Sequence, residues 1–419
     1  MKFIHAADIH LDSPLVGLQF YEGAPVEEIR GATRRAFENL VDLAAAERVD
    51  FVLLAGDLYD GDWKDYNTGL FLSNQISRLR EEGVRVFIIS GNHDAASQIT
   101  KHLRMPDNVK ALSVRHPETV RIETLGLAIH GQGYAARAVT DDLAAGYPLA
   151  LPDHFNIGLL HTSLDGREGH EPYAPASVGG LLSKGYDYWA LGHVHAREIV
   201  REDPWVVFPG NIQGRHIRET GPKGCTLVEE RDGRIVRVEH RELDVMRWAV
   251  AVVDAGRAAR GDDVIDAASR SLKNAIKENG ELPLAVRVEI VGATKAHREL
   301  LANPERWKNE LRAVATDISG GTMWLEKIRV ATREAAGTTP GPISEALVEL
   351  MSAVDGLSGN ADLVKAAVEA LGDLNEKLPH ELKSGDEAIR LDDPETVKRA
   401  ADGVRQVLME RILAGGVEL

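Results

Sequence analysis

Short apolar runs, each ending at a motif rich in glycine, histidine or acid, are what most limits how this chain can fold. Phe51-Val52-Leu53-Leu54 leads into Gly56-Asp57-Leu58-Tyr59-Asp60, and Val86-Phe87-Ile88-Ile89 into Gly91-Asn92-His93-Asp94. Ile157-Gly158-Leu159-Leu160 leads into His161-Thr162-Ser163, and Trp189-Ala190-Leu191 into Gly192-His193-Val194-His195. Runs this short and this apolar read as strands covered on both faces. Helical periodicity fills residues 30–47 and 67–82 between the first strands. Later runs, such as Leu127-Ala128-Ile129, follow one another closely. This spacing predicts an α/β fold, a layered β-sandwich flanked by helices rather than a purely doubly wound sheet.

The pattern then restarts on a smaller scale. Trp248-Ala249-Val250-Ala251-Val252 and the alternating Leu284-Ala285-Val286-Arg287-Val288-Glu289-Ile290 read as strands, and residues 263–278 and 305–315 as helices. Gly337-Thr338-Thr339-Pro340-Gly341-Pro342 reads as a linker. Beyond it, Ile343, Leu347, Leu350, Met351 and Val354 form one helical stripe. Asp393-Pro394 supplies a cap and first-turn proline for a last helix bearing Val397, Ala401, Val404 and Leu408. Three segments are expected: a main domain over 1–245, a small α/β capping domain over 246–335, and a linker with C-terminal helices over 336–419.

Composition narrows the setting. No run of about 18 apolar residues marks a membrane span, and the opening Met1-Lys2-Phe3-Ile4 runs straight into a strand rather than a secretion signal. The single cysteine, Cys225, excludes an internal disulfide or a cysteine-rich zinc site. A cytoplasmic protein without a membrane partner is expected. A formal net charge of −16 argues at first against nucleic acid. Residues 336–419, however, hold 16 acidic and 8 basic side chains, so half of that excess lies in the tail. Bound cations would also reverse the sign where a phosphate must sit. There is no nucleotide-cradling Gly-x-x-x-x-Gly-Lys-Ser/Thr and no zinc finger.

The motifs themselves point to metal chemistry. Functional side chains in open α/β sheets gather beyond the carboxyl ends of the strands, which is where Asp57, Asn92, His161 and His193 fall. Asp8-x-His10 and His193-x-His195 are each two apart, and in extended chain that spacing turns both side chains to one side. Carboxylate, imidazole and amide oxygen without thiolate suit Mn²⁺, Fe²⁺, Zn²⁺ or Mg²⁺. Two such ions about 3.5–4 Å apart can clamp a phosphate and activate water. The histidine of Gly-Asn-His-Asp is not needed as a ligand and is suited to protonate a leaving oxygen.

In order and content, the five motifs resemble the signatures of the calcineurin-like metallophosphoesterase family over roughly the first 215 residues. Within it, the chain is most similar to the bacterial DNA repair exonuclease subunit SbcD and its YhaO-type relatives. Phe3-Ile4-His5-Ala6-Ala7-Asp8-Ile9-His10-Leu11-Asp12 resembles their opening strand. Phe208-Pro209-Gly210-Asn211 followed by Gly221-Pro222-Lys223-Gly224-Cys225 resembles a Tyr-Pro-Gly-Ser…Lys-Gly-Phe stretch, departing from it at Asn211 and Cys225. The resemblance implies one metal on Asp8, His10, Asp57 and His195, and another on Asp57, Asn92, His161 and His193, with Asp57 shared. It makes His93 the catalytic histidine, oriented by Asp60. It also implies a Mn-dependent DNA nuclease, cutting ends or single strands with an SbcC-like coiled-coil ATPase docked on the C-terminal helices; a homodimer is left open.

Other polar residues carry plainer readings. His5 and His130 are expected to be structural, and His170 and His216 to lie in solvated loops. Asp12 and Asp94 are expected to hydrogen-bond the backbone or a ligand rather than bind metal. Arg215, Arg218 and Lys223 fit either phosphate contacts or a solvated face. Two alternative functions stand beside the nuclease: a phosphodiesterase or phosphatase acting on a nucleotide or phosphoprotein, and a non-catalytic scaffold.

Overall fold

The computed structural model describes residues 1–13, 15, 23–60, 66–96, 105–165, 173–335, 361–377 and 390–397. The chain divides into two compact units. The first comprises Met1–Val250, Lys273–Arg287 and Ser319–Lys327, and the second Ala251–Leu272, Val288–Ile318 and Ile328–Leu419.

The first unit is built on two six-stranded sheets. One contains β1 (Lys2–Ala6), β2 (Phe51–Ala55), β3 (Arg85–Ile89) and β4 (Val109–Ala111), joined by β11 (Gly224–Arg231) and β12 (Arg234–Glu242), in the order β12-β11-β1-β2-β3-β4. Strands β1 to β4 are parallel, with Phe3 opposite Phe51 and Phe51 opposite Arg85; β11 runs antiparallel to β1. The other sheet takes β5 (Glu118–Ile122), β6 (Leu127–Gly131), β7 (Phe155–His161), β8 (Tyr188–Gly192), β9 (Glu198–Glu202) and β10 (Trp205–Phe208), in the order β5-β6-β7-β8-β10-β9.

Alternation along each strand explains why the runs are apolar throughout. In β2, Phe51, Leu53 and Ala55 enter a cluster that also holds Ile157, Leu159, Tyr188 and Ala190 of the other sheet. Val52 and Leu54 point the opposite way, into a cluster with Phe37, Leu40, Leu72 and Ile76. Those four belong to α1 (Val26–Glu47) and α2 (Tyr66–Glu81). The second sheet does the same, since Trp189, Leu191 and Phe208 pack with Tyr147, Leu181 and Tyr186 on its outer face. Each central strand is therefore buried twice, and helix, sheet, sheet and outer cover stack as layers. The expected layered α/β sandwich is what forms, with α1 beginning at Val26, a turn before the predicted start.

Two of the strands absent from the sequence reading share one property. β9 and β12 are sheet edges, and Glu198-Ile199-Val200-Arg201-Glu202 and Arg234-Ile235-Val236-Arg237-Val238-Glu239 carry charges where the central strands carry valine and leucine. Charged edges resist pairing with other chains, and they also hide the strand pattern.

Later in the chain, β13 (Arg247–Asp254), β14 (Leu284–Thr294) and β15 (Met323–Glu334) form a third sheet in that order. Helices α3 (Gly261–Glu278), α4 (His297–Ala302) and α5 (Pro304–Ser319) lie between them in sequence. Within the second unit, Trp307 is buried over Gly261, where an added Cβ would meet the indole at 2.1 Å, and its Nε1 donates to the Glu299 carbonyl at 2.9 Å. Among the described residues, helices α6 (Ala361–Ala370) and α7 (Gly372–Lys377) follow. Asp393 accepts hydrogen bonds from the Glu395 and Thr396 amides, each at 3.2 Å, as an N-cap does. The predicted linker, the stripe from Ile343 to Val354, and Ala401, Val404, Leu408 and His170 lie outside the described residues.

One glycine sets the spacing of the outer layer. Trp189 covers Gly158 of the neighbouring strand so closely that a Cβ there would stand 2.3 Å from the ring. Gly158→Ala is expected to destabilise the chain by about 1–3 kcal/mol through overpacking. Chemical denaturation would show it as a lowered midpoint at unchanged slope; an unchanged midpoint would contradict this packing.

Candidate metal centre

The carboxyl ends of β1, β2, β3, β7 and β8 meet at one place, and the backbone there is strained. Asp8, His10, Asp57 and His193 have φ of 52°, 46°, 53° and 100°. A side-chain-bearing residue held in this region costs roughly 1–3 kcal/mol and persists only where its surroundings enforce it. Here the enforcement is visible: the Asp8 amide donates to the Gly56 carbonyl at 3.1 Å, His10 to Asp57 at 3.0 Å and Leu11 to Leu58 at 2.9 Å. The β1–β2 ladder thus continues past both strands, and its left-handed residues turn Asp8, His10 and Asp57 together.

Motif glycines make room for these side chains. A Cβ on Gly91 would stand 2.2 Å from Asp57 Oδ1, and one on Gly56 2.4 Å from His161 Nδ1. On Gly192 it would meet the Ala55 carbonyl at 2.0 Å and His161 Nδ1 at 2.9 Å. Each glycine thus provides space for a donor carried by a different strand.

The donors fall into two groups on either side of one carboxylate. His10 Nε2 and His195 Nε2 are 3.3 Å apart, with Asp8 Oδ1 3.9 Å from the latter. His161 Nε2 lies 3.0 Å from Asn92 Oδ1, and the His193 ring centroid is 5.2 Å from that of His161. Asp57 Oδ2 faces both groups, 3.9 Å from His10 Nε2 and 3.5 Å from His161 Nε2. Asp8 also anchors the opposite strand by accepting from the His193 amide at 3.0 and 3.1 Å.

Ring tautomers are set from behind. The Ala55 carbonyl lies 2.8 Å from His161 Nδ1, and Glu219 Oε1 2.7 Å from His195 Nδ1. Each acceptor claims the Nδ1 proton and leaves Nε2 to face the centre. His93 is arranged differently. Its Nδ1 is 2.8 Å from Asp60 Oδ1, and its amide donates to Asp57 Oδ1 at 2.9 Å. Asp60 also accepts from Ser13 Oγ at 2.5 Å and is 3.4 Å from Arg215 Nη1. Most of the centre is sealed, whereas the His93 and His195 side chains are 31% and 22% exposed, so a substrate would reach it at those two rings.

The electrostatics follow from burying so many ionisable groups together. Burial would raise Asp57, yet the adjacent His161 and His93 hold it well below the usual carboxylate range. Burial raises Asp8, only partly opposed by His195 and His161. For His161 burial alone would lower the imidazole, but the Asp57 and Asp8 carboxylates and the Ala55 carbonyl carry it up to about 9. Asp60, which burial would raise, is held at about 2 by His93, Arg215 and Ser13. The same Asp60, with Asp57, raises His93 against its own desolvation.

This arrangement fits divalent cations. Two ligand atoms about 2.0–2.1 Å from one ion, at angles of 90–109°, stand roughly 2.8–3.4 Å apart. That is the separation of the His10–His195 and His161–Asn92 donor pairs. The set is oxygen and imidazole without thiolate, as expected for Mn²⁺, Fe²⁺, Zn²⁺ or Mg²⁺. Asp8, His10 and His195, and Asp8, Asp57 and His161, each offer atoms within 4.8 Å of one another. His10, Asp60 and His93 do so as well, but there the short His93–Asp60 contact already occupies Nδ1.

All nine residues singled out in the sequence are thereby brought to one place. His5 is not among them: it bonds Tyr188 Oη and the Leu191 carbonyl, each at 3.0 Å, and burial lowers it to about 3. His130 lies between Thr119 Oγ1 and Asn156 Oδ1 and stacks on Tyr186. Asp94 accepts from the Tyr59 and Gly91 amides, and Asp12 pairs with Arg34. The sequence reading missed Glu219. Its Oε2 accepts from the Arg215 amide at 2.7 Å and from Asn211 Nδ2 at 3.0 Å. A carboxylate four residues after Arg215, between the Phe-Pro-Gly-Asn and Lys-Gly stretches, was the available signal.

Residues 1–197 match the model of the calcineurin-like phosphoesterase family, and residues 248–333 that of the middle domain of metallophosphoesterase YhaO. The chain is 42% identical over 262 residues to the uncharacterized metallophosphoesterase YhaO of Bacillus subtilis, covering 62% of this chain and 64% of that one. It is 26% identical over 270 residues to the DNA double-strand break repair protein Mre11 of Sulfurisphaera tokodaii, covering 60% and 65%. With the Mre11 of Methanopyrus kandleri the identity is 28% over 289 residues, covering 61% and 60%. The chain thus spans 60 to 65% of the length of these curated relatives. Among solved structures, a dimetal phosphatase from Danio rerio aligns with a TM-score of 0.36 and 12% identity, over 58% of this chain and 96% of that one.

Two outcomes are expected of the centre. Glu219→Gln should weaken metal binding about tenfold, the lower end for loss of a carboxylate that orients a ligand histidine. Chelator competition measures this, and wild-type affinity in the variant would contradict the role given to Glu219. An ion taking His161 Nε2 must also displace a proton held to about 9. Affinity should therefore fall as pH drops below 9, by about tenfold per unit for this one proton. Calorimetry in buffers of different ionisation enthalpy should show proton release at neutral pH; none would mean that His161 binds no ion.

Proposed function

We propose that this chain, whose first 197 residues belong to the calcineurin-like phosphoesterase family, is a two-metal phosphodiester hydrolase acting on DNA. In this reading Asp8, His10, Asp57 and His195 hold one ion, and Asp57, Asn92, His161 and His193 the other. The observation that carries it is the position of Asp57: a single oxygen faces both donor groups, 3.9 and 3.5 Å from their nearest nitrogens. Two cations held there would supply Lewis-acid stabilisation of the phosphate and an activated water.

The protein groups have separable tasks. Asp57 and Asp8 supply the negative charge that cations need in a buried place. The Ala55 carbonyl and Glu219 keep the ligand rings in one tautomer. His93, the more exposed of the two open rings, holds its proton more firmly than a free imidazole through its contact with Asp60 and delivers it to the departing oxygen. Asp60 stays ionised throughout, so the ring keeps its orientation after the proton has left.

DNA as substrate is supported by the Mre11 relatives, whose names record double-strand break repair. Manganese is the proposed metal because the mixed imidazole and oxygen donors suit it, with Mg²⁺, Fe²⁺ or Zn²⁺ as alternatives. The reading extends to an exonuclease or endonuclease role in repair, a cytoplasmic setting and an SbcC-like coiled-coil ATPase engaged through residues 336–419. It keeps the division into a nuclease domain over 1–245, a cap over 246–335 and C-terminal helices. Among the described residues, no helix is long and apolar enough to cross a membrane.

The Mn²⁺-loaded chain should be offered end-labelled duplex DNA, single-stranded DNA and a chromogenic phosphodiester. Metal-dependent shortening of DNA supports the reading. Turnover of the chromogenic compound with both DNAs intact would point to a nucleotide or phosphoprotein substrate, and no hydrolysis at all to a scaffold. His93→Ala is expected to retain both ions yet lose roughly 10²–10⁴ in rate on DNA. Metal analysis beside kinetics decides it, because ions lost together with activity would make His93 a ligand instead.

A further inference from the structure

Arg215 has no task in the proposed mechanism, yet it lies between the two parts that do. Its side chain is only 11% exposed. Nη1 is 3.4 Å from Asp60 Oδ2, and Nη2 is 3.3 Å from Glu219 Oε1 and 3.4 Å from His195 Nδ1. Asp60 holds His93, the proposed leaving-group acid, and Glu219 holds His195, a proposed ligand. Among the described residues the buried Nε has no hydrogen-bond partner, and the contacts that offset burial of this guanidinium are those of its two Nη groups with these carboxylates.

We propose that Arg215 is a positioning residue that ties the acid pair His93–Asp60 to the ligand pair His195–Glu219 through one forked guanidinium. The inference rests on the two-metal reading above. Its chemistry is specific to arginine: a planar fork presents donors on two nitrogens at fixed spacing, whereas the donors of a lysine ammonium all radiate from a single nitrogen. The loop geometry favours a tether as well. The Arg215 amide donates to Glu219 Oε2 at 2.7 Å, and Asn211 Nδ2 holds the same oxygen at 3.0 Å. Glu219 is thereby fixed from its own loop, leaving the guanidinium to reach across to Asp60, which follows β2. Two groups delivered by distant parts of the chain are held in register by this one side chain.

The test uses the full chain with Mn²⁺ and two diesters: bis(4-nitrophenyl) phosphate, whose leaving group needs no proton, and a thymidine dinucleotide, whose leaving group does. Retention of Mn²⁺ on dialysis against a weak chelator provides a readout independent of turnover. Asp60→Asn should keep its ions and lose at least about tenfold more rate on the dinucleotide than on the chromogenic diester. Glu219→Gln should lose ions and, once saturated, treat the two substrates alike. Arg215→Gln should show both defects, and Arg215→Lys, which retains the charge and guards against misfolding of the first variant, should show them more weakly. Equal loss on both substrates with ions fully retained would overturn the tether and make Arg215 a substrate contact. Wild-type ion retention in Arg215→Gln would overturn it too. A wild-type chain that cuts neither diester would refute the phosphoesterase reading instead, and ion retention in the variants would still decide the tether.

Discussion

Asp57 is the constraint around which the rest is arranged. A carboxylate that is essentially unexposed is costly unless positive charge surrounds it, and here His161 and His93 keep it ionised against its burial. Its neighbours make sense from that requirement. Gly91 has no side chain because Asp57 Oδ1 occupies the place of its Cβ. The His93 amide points at the same oxygen. The left-handed backbone at Asp8, His10 and Asp57 is what turns three side chains from two adjacent strands toward one point. Strain of this kind survives only on a rigid base, and the doubly buried strands provide it.

The base also explains how two sheets share one centre. Asp8, Asp57 and Asn92 follow strands of the first sheet, whereas His161 ends one strand of the second and His193 follows another. These side chains can approach within hydrogen-bonding distance because the aromatic layer between the sheets, where Phe3 touches both Phe51 and Tyr188, fixes their separation. Local charge, not net charge, then governs what can bind. The chain carries −16 overall, but the centre is a concentration of imidazoles around two carboxylates, to which cations would add still more positive charge.

Much of this was legible in the sequence, for definite reasons. The central strands stand out because burial on both faces leaves only apolar residues in them, and the ligand positions stand out because each motif follows such a strand directly. The charged edge strands β9 and β12 were not legible. Glu198–Glu202 and Arg234–Glu242 mix charges with β-branched residues, and neither an apolar run nor strict alternation remains. Glu219 was missed for a different reason. It lies in a loop, and its significance comes from His195 and Asn211, which the chain brings to it only on folding. Arg215 was noticed as a charge but not as a bridge, because its partner Asp60 is 155 residues away in sequence.

Whether one buried carboxylate joins two ions is read most directly by electron paramagnetic resonance of the manganese-loaded chain. Ions that share Asp57 are close enough to couple magnetically. Two Mn²⁺ per chain are expected, with the spectrum of an exchange-coupled pair, and loss of that coupling in Asp57→Asn. A single bound ion, or two that give the spectrum of isolated Mn²⁺ in the wild-type chain, would contradict it.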